Sequence, residues 1–166
     1  MKYKAYHFSY IHLEIEDTIS PKKYSDLMGI KAEMEENLER VRIKEYPNYN
    51  TRLNCVFLAP TEESAKEWCR EINIWRWRDE QKEISFYLYV VELSERPIWY
   101  NAGILLDFNN VNADKYAISK TYWDSGTVEV EQNANSMLEF MSTNEVVIIS
   151  KTKWKITTDG EIIEDR

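Results

Sequence analysis

Glycine is scarce in this chain of 166 residues, with only Gly29, Gly103, Gly126 and Gly160. A phosphate-cradling loop or a dinucleotide fingerprint needs several closely spaced glycines, so that backbone amides can approach a phosphate. The Rossmann and P-loop classes are therefore excluded. Histidine is limited to His7 and His12 and cysteine to Cys55 and Cys69. These form no zinc spacing, so both thiols are read as reduced core residues and no metal is expected. No run reaches the roughly 18 to 20 apolar residues of a membrane span. The start, MKYKAYHFSYIHLEIED, alternates like a strand and is no signal peptide, so a cytoplasmic protein with no membrane partner is expected. Basic residues number 21 against 29 acidic, a net charge of −8. That balance disfavours sequence-independent binding to nucleic acid, which depends on Lys and Arg displacing counterions.

What is present is enough for one domain over 1–166. The hydrophobic fraction is 43%, which can supply a core at this length. Residues 3–15 alternate loosely and are rich in aromatic and β-branched side chains, as expected of a first strand. Over 30–43 the apolar Ile30, Met34, Leu38 and Val41 recur at helical spacing, opposite Glu33, Glu36 and Arg40. "RLNCVFLAP" reads as a second strand and "TEESAKEWCREI" as a helix capped by Thr61, with two acids in its first turn. "EISFYLYVVEL" is the longest strand signal, with the look of a central strand buried on both faces. A short strand at 104–108, a helix at 113–122, a loop over 123–135 and a short helix at 136–141 are expected next. The end, "EVVIIS-KT-KWKITT-DG-EIIEDR", reads as successive antiparallel strands, with Asp159-Gly160 as a hairpin turn. The fold class is α+β.

Three stretches in order carry a resemblance: "YHFS" (6–9), "CVFLAPTEESAKEW" (55–68) and "EVVIISKTKWKI" (145–156). They resemble the ADP-ribosyltransferase superfamily, in the branch of diphtheria toxin and poly(ADP-ribose) polymerases and its small bacterial or phage members. That resemblance implies split antiparallel β-sheets, with helices inserted after the first and second strands. It implies NAD as substrate and no metal. His7 then corresponds to the histidine that holds a ribose hydroxyl, with Ser9 as its neighbour in the motif and Glu145 as the catalytic acid. Phe57 stands where the family has a tyrosine that stacks on nicotinamide. Trp68 stands near the second aromatic, and Arg52 near an arginine that contacts phosphate in small members. Phe8 replaces the family glycine whose backbone lies against the nicotinamide amide. Thr143 stands where arginine-specific toxins have a second glutamate, which argues against arginine as the acceptor.

The chemistry explains the opening carboxylate of "NEVVIISKTKWKI". Breaking the C–N bond between nicotinamide and ribose creates an oxocarbenium-like sugar, which a fixed negative charge stabilises. Glu145, followed by Val146, Val147 and Ile148, would supply that charge, and an apolar neighbourhood would strengthen it. Taken alone, the same residues have plainer readings. Glu145 is a solvated strand cap, His7 an edge histidine and Trp68 a helix-face core aromatic. His12 is read as structural. "WRWRDEQ" (75–81) is either a recognition loop or an element edge on which arginine stems cover tryptophan. Two functions follow. The first is an NAD-dependent transferase that modifies a macromolecule, a protein ahead of a nucleic acid, with NAD hydrolysis using the same site. The second is a non-catalytic binding or inhibitory module of the same fold, such as a phage anti-defence protein.

Overall fold

Alternation starts the first strand, but local polar chemistry ends it early. The structure, a computed structural model, describes residues 1–23, 30–130 and 137–166. Strand β1 spans Tyr3–Ser9 and stops six residues short of the expected end. Ser9 Oγ accepts a hydrogen bond from the Ile11 amide at 3.1 Å, and Asp17 accepts one from the Glu14 amide at 2.8 Å. Such side-chain bonds to nearby backbone favour turns over strand. There follow the two-residue strands β2 (Thr18–Ile19) and β3 (Lys22–Lys23), helix α1 (Ile30–Glu45) and strand β4 (Asn54–Leu58). Helix α2 (Glu62–Ile72) starts where its cap predicts, with Thr61 accepting from the Ser64 amide. A π-helical turn at Trp75–Asp79 leads into β5 (Ile84–Leu93). The rest is β6 (Tyr100–Asn101), a 3-10 helix (Ala102–Asp107), α3 (Lys115–Asp124), β7 (Leu138–Ser142), β8 (Val146–Ile156) and β9 (Ile162–Glu164).

Three expectations are corrected. The strand expected at 104–108 is the 3-10 helix, opened by Asn101, whose side chain accepts from the Gly103 amide. The helix expected at 136–141 is strand β7 over residues 138–142, all of them buried. Its two buried faces leave no alternation to read. The break expected at Lys151-Thr152 is absent, since β8 runs unbroken and pairs with β5 from Ile84↔Ile156 to Glu92↔Val147. Of the loop expected at 123–135, residues 131–135 lie outside the described residues.

The chain is an α+β protein with two antiparallel sheets and interspersed helices. One sheet has the order β1-β5-β8-β2, with β9 also on β8; the other has the order β3-β4-β7-β6. Two compact units result. The first comprises residues 1–19, 58–96 and 146–166, and the second comprises 20–57 and 97–145. In the first, Ile84, Phe86 and Leu88 alternate on one face of β5 and pack with Ala65 and Cys69 of α2 and Ile156 of β8. In the second, the fully buried Trp123 donates its indole N–H to the Leu38 carbonyl at 2.9 Å, tying α3 to α1. Tyr100 stacks on Tyr122 at 5.4 Å. No described helix is long and apolar enough to cross a membrane.

Candidate functional site

In the first unit, β1 sorts its motif by alternation. Phe8 packs against the α2 core together with Trp68. His7 and Ser9 therefore take the other face, where register sets His7 beside Tyr89 and Ser9 beside Tyr87. The rows continue onto β8, with Tyr89 beside Lys151 and Tyr87 beside Lys153. The bulk of Phe8 is thus spent on the core and not on the face that carries His7. Tyr87 and Tyr89 stack at 6.2 Å, and burial raises the Tyr89 phenol pKa. The bridge Tyr6↔Ala59 makes two backbone hydrogen bonds of 2.9 and 2.8 Å. It binds β1 to the chain just where that chain enters α2.

In the second unit, Arg52 is 7% exposed and holds a buried cluster. Its guanidinium donates to Glu35 at 3.0 Å, to the Tyr122 hydroxyl at 2.8 Å and to Glu139. Tyr122 also donates to Glu139 at 2.8 Å. The planar fork of arginine suits this arrangement, since it serves several acceptors at fixed angles. Burial would lower the Arg52 pKa, but Glu139, Tyr122 and Glu35 outweigh it and hold it well above the ordinary value. Burial, ahead of Glu139, pushes the Tyr122 phenol well up. The guanidinium also lies over the Phe57 ring at 5.0 Å. Arg52 and Phe57 are thus brought together, with the donors of Arg52 directed at protein acceptors. Glu145 is exposed just before β8 and accepts from the Ser20 hydroxyl at 3.0 Å.

The residues that sequence reasoning missed are Glu139 and Glu35. A helix was expected around Glu139, so its carboxylate was not assigned to a sheet interior. The available signal was the flanking "MLEFM", in which one acid stands among four apolar residues. Among the described residues, no group of three or more His, Cys, Asp or Glu side chains could hold a metal.

The class these observations define is an α+β protein of two antiparallel sheets with a buried arginine–carboxylate–phenol cluster. The chain belongs to the family described as "Protein of unknown function (DUF2441)", which it matches over residues 1–163. No curated protein matches it.

Proposed function

We propose that this protein is an NAD-dependent ADP-ribosyltransferase. It breaks the bond between nicotinamide and ribose and passes ADP-ribose to a macromolecular acceptor, a protein ahead of a nucleic acid. The observation that carries the reading is the Tyr6–Ala59 bridge, which ties the strand of the "YHFS" motif to the entry of the "SAKEW" helix. The resemblance requires those two motifs to be neighbours. The division into two antiparallel sheets, with α2 directly after β4 and α1 after β1 and the two-residue β2 and β3, supports the same reading. In it, His7 and Ser9 hold the ribose and Phe57 stands for the nicotinamide-stacking tyrosine, while Trp68, packed with Phe8 on the opposite face of β1 from His7, belongs to the core. Phe8 contributes backbone, and Arg52 orients Phe57 and Glu139. Two carboxylates are then candidates for the charge on the sugar. Glu145 is the one the resemblance assigns. Glu139 is the one grouped with Phe57, on the strand beside β4.

A non-catalytic module of the same fold is the second reading. It is favoured by the exposure of Glu145, since water weakens the field of a carboxylate. Calorimetric titration with NAD and chromatographic detection of released nicotinamide separate the two. The transferase reading expects binding and turnover. It also expects Glu145→Gln or Glu139→Gln to cut turnover by about 10² to 10³ with little change in affinity. Binding without release in the presence of cell extract supports the second reading, and absence of binding removes the first.

A further inference from the structure

Residues 10–17 leave β1 and run back over the sheet face that carries His7, Ser9, Tyr87 and Tyr89. Their fastenings to the sheet are polar. The Tyr89 hydroxyl donates to the Ile11 carbonyl at 2.6 Å and accepts from the Leu13 amide at 2.8 Å. Lys151 reaches Glu14 at 2.6 Å and His12 at 2.9 Å, and the His12 ring lies 5.0 Å from that of Tyr87. The far end joins Ile148 through the Glu16 amide and the Asp17 carbonyl, at 2.8 and 2.9 Å. Of the apolar side chains, Ile11 is 58% and Ile15 52% exposed and Leu13 is half-buried, while the Tyr10 phenol accepts from the Asn73 side chain at 2.6 Å. Glu16 sits at φ 77°, a left-handed conformation that is strained for a non-glycine residue. Few apolar contacts, polar ties and local strain place a segment at the low end of local stability.

We propose that residues 10–17 form an autoinhibitory strap that shields the His7–Ser9 face and opens to admit ligand. In the closed position the strap uses the Ser9 hydroxyl, which accepts from the Ile11 amide, and it seals Tyr89, which has no exposed surface. A ligand that needs Ser9 competes with the first turn of the strap. The identity of that ligand as NAD rests on the function proposed above; the opening does not.

Hydrogen exchange by mass spectrometry, together with nitration of Tyr87 by tetranitromethane, tests the strap without any nucleotide. Tyr89→Phe removes two of its bonds, and Glu14→Ala, at an exposed position, removes one of the two Lys151 ties and leaves the one to His12. Tyr89→Phe should speed exchange across 11–17 about tenfold or more, as expected for two lost hydrogen bonds, while β5 and β8 stay protected. Tyr87 nitration should rise several-fold with it, and Glu14→Ala should show the same pattern more weakly. Unchanged exchange over 11–17 in both variants would overturn the strap. Faster exchange with unchanged nitration would overturn the shielding. If both rise and NAD still fails to bind either variant, the strap stands and the NAD reading falls.

Discussion

Arg52 shows how one residue can set the behaviour of a core. It joins Glu35, Glu139 and Tyr122 inside the second unit. Removing it leaves the two buried carboxylates of Glu35 and Glu139 without their cation. Arg52→Met should therefore cost about 3 to 5 kcal/mol, read as a lower urea midpoint, and Arg52→Lys should recover only part of it because an ammonium cannot span the same acceptors. An unchanged midpoint for Arg52→Met would mean that the cluster contributes nothing net. The cysteines give a pH test. Burial pushes the thiols of Cys55 and Cys69 up to about 12 from 9.0. Above pH 9 the unfolded chain loses thiol protons that the folded chain keeps, so stability falls as pH rises from about 9 towards 12. Below 9 the thiols add no slope. The expected loss is about 1.4 kcal/mol per thiol by pH 10, checked by urea titrations at pH 8 and 10 on the protein and on a variant with both cysteines replaced by alanine. Neither thiol should react with a disulfide reagent until the chain unfolds. On the proposed transferase reading, His7→Ala should weaken NAD binding more than it slows turnover, because a ribose contact made equally in ground and transition states acts on affinity.

Elements were legible where a cap, a turn or a period marked them. Thr61 announced α2, β-branched and aromatic content announced β5, and Asp159-Gly160 announced the last hairpin. That hairpin has a sharp dependence on its glycine. Gly160 has φ 80°, and a Cβ there would meet two atoms of the Trp77 ring at 2.8 Å. The ring cannot easily retreat, because its N–H is tied to the Arg70 carbonyl at 3.1 Å. Gly160→Ala should destabilise by about 2 kcal/mol or more, from left-handed backbone strain and overpacking together. Tryptophan fluorescence during denaturation would read both the midpoint and the displaced ring. What was not legible was decided by partners distant in sequence. "ILLDF" is a short apolar run that strand and helix share equally. Met137, Leu138 and Glu139 favour a helix locally, yet β7 is held as a strand between β4 and β6. Of the candidate site, the strand and helix that carry His7 and Trp68 could be read from order and spacing. The buried partners of Arg52 could not, because Glu35 and Tyr122 stand 17 and 70 residues away.

At the scale of the whole molecule, neither unit is a continuous piece of chain. The first is assembled from three segments and the second from two, so the backbone passes between them after residues 19, 57, 96 and 145. A cut at any one of these points leaves at least one unit incomplete. The fragment 1–96 keeps β1, α2 and β5 but lacks β8, which pairs with β5 along nearly its whole length. This fragment should show no cooperative transition in a circular dichroism melt, and a sharp melt would show that β1, β5 and α2 suffice as a folding unit. Pairing over such separations is also slow, because loop closure must be met before the contacts form.

The same interleaving bears on how the protein is made. A ribosome adding 5 to 20 residues per second needs about 3 to 10 s to place the roughly 50 residues between the end of β5 and the start of β8. Throughout that interval one edge of "ISFYLYVVEL" has no partner, and the stretch carries a single charge, Glu92. Such an edge, apolar and unguarded by lysine or proline, is a template for association between nascent chains. The recovery of soluble protein is then governed by events on the ribosome. Slower initiation, which spaces the chains along a message, should raise the yield more than any change to the finished surface.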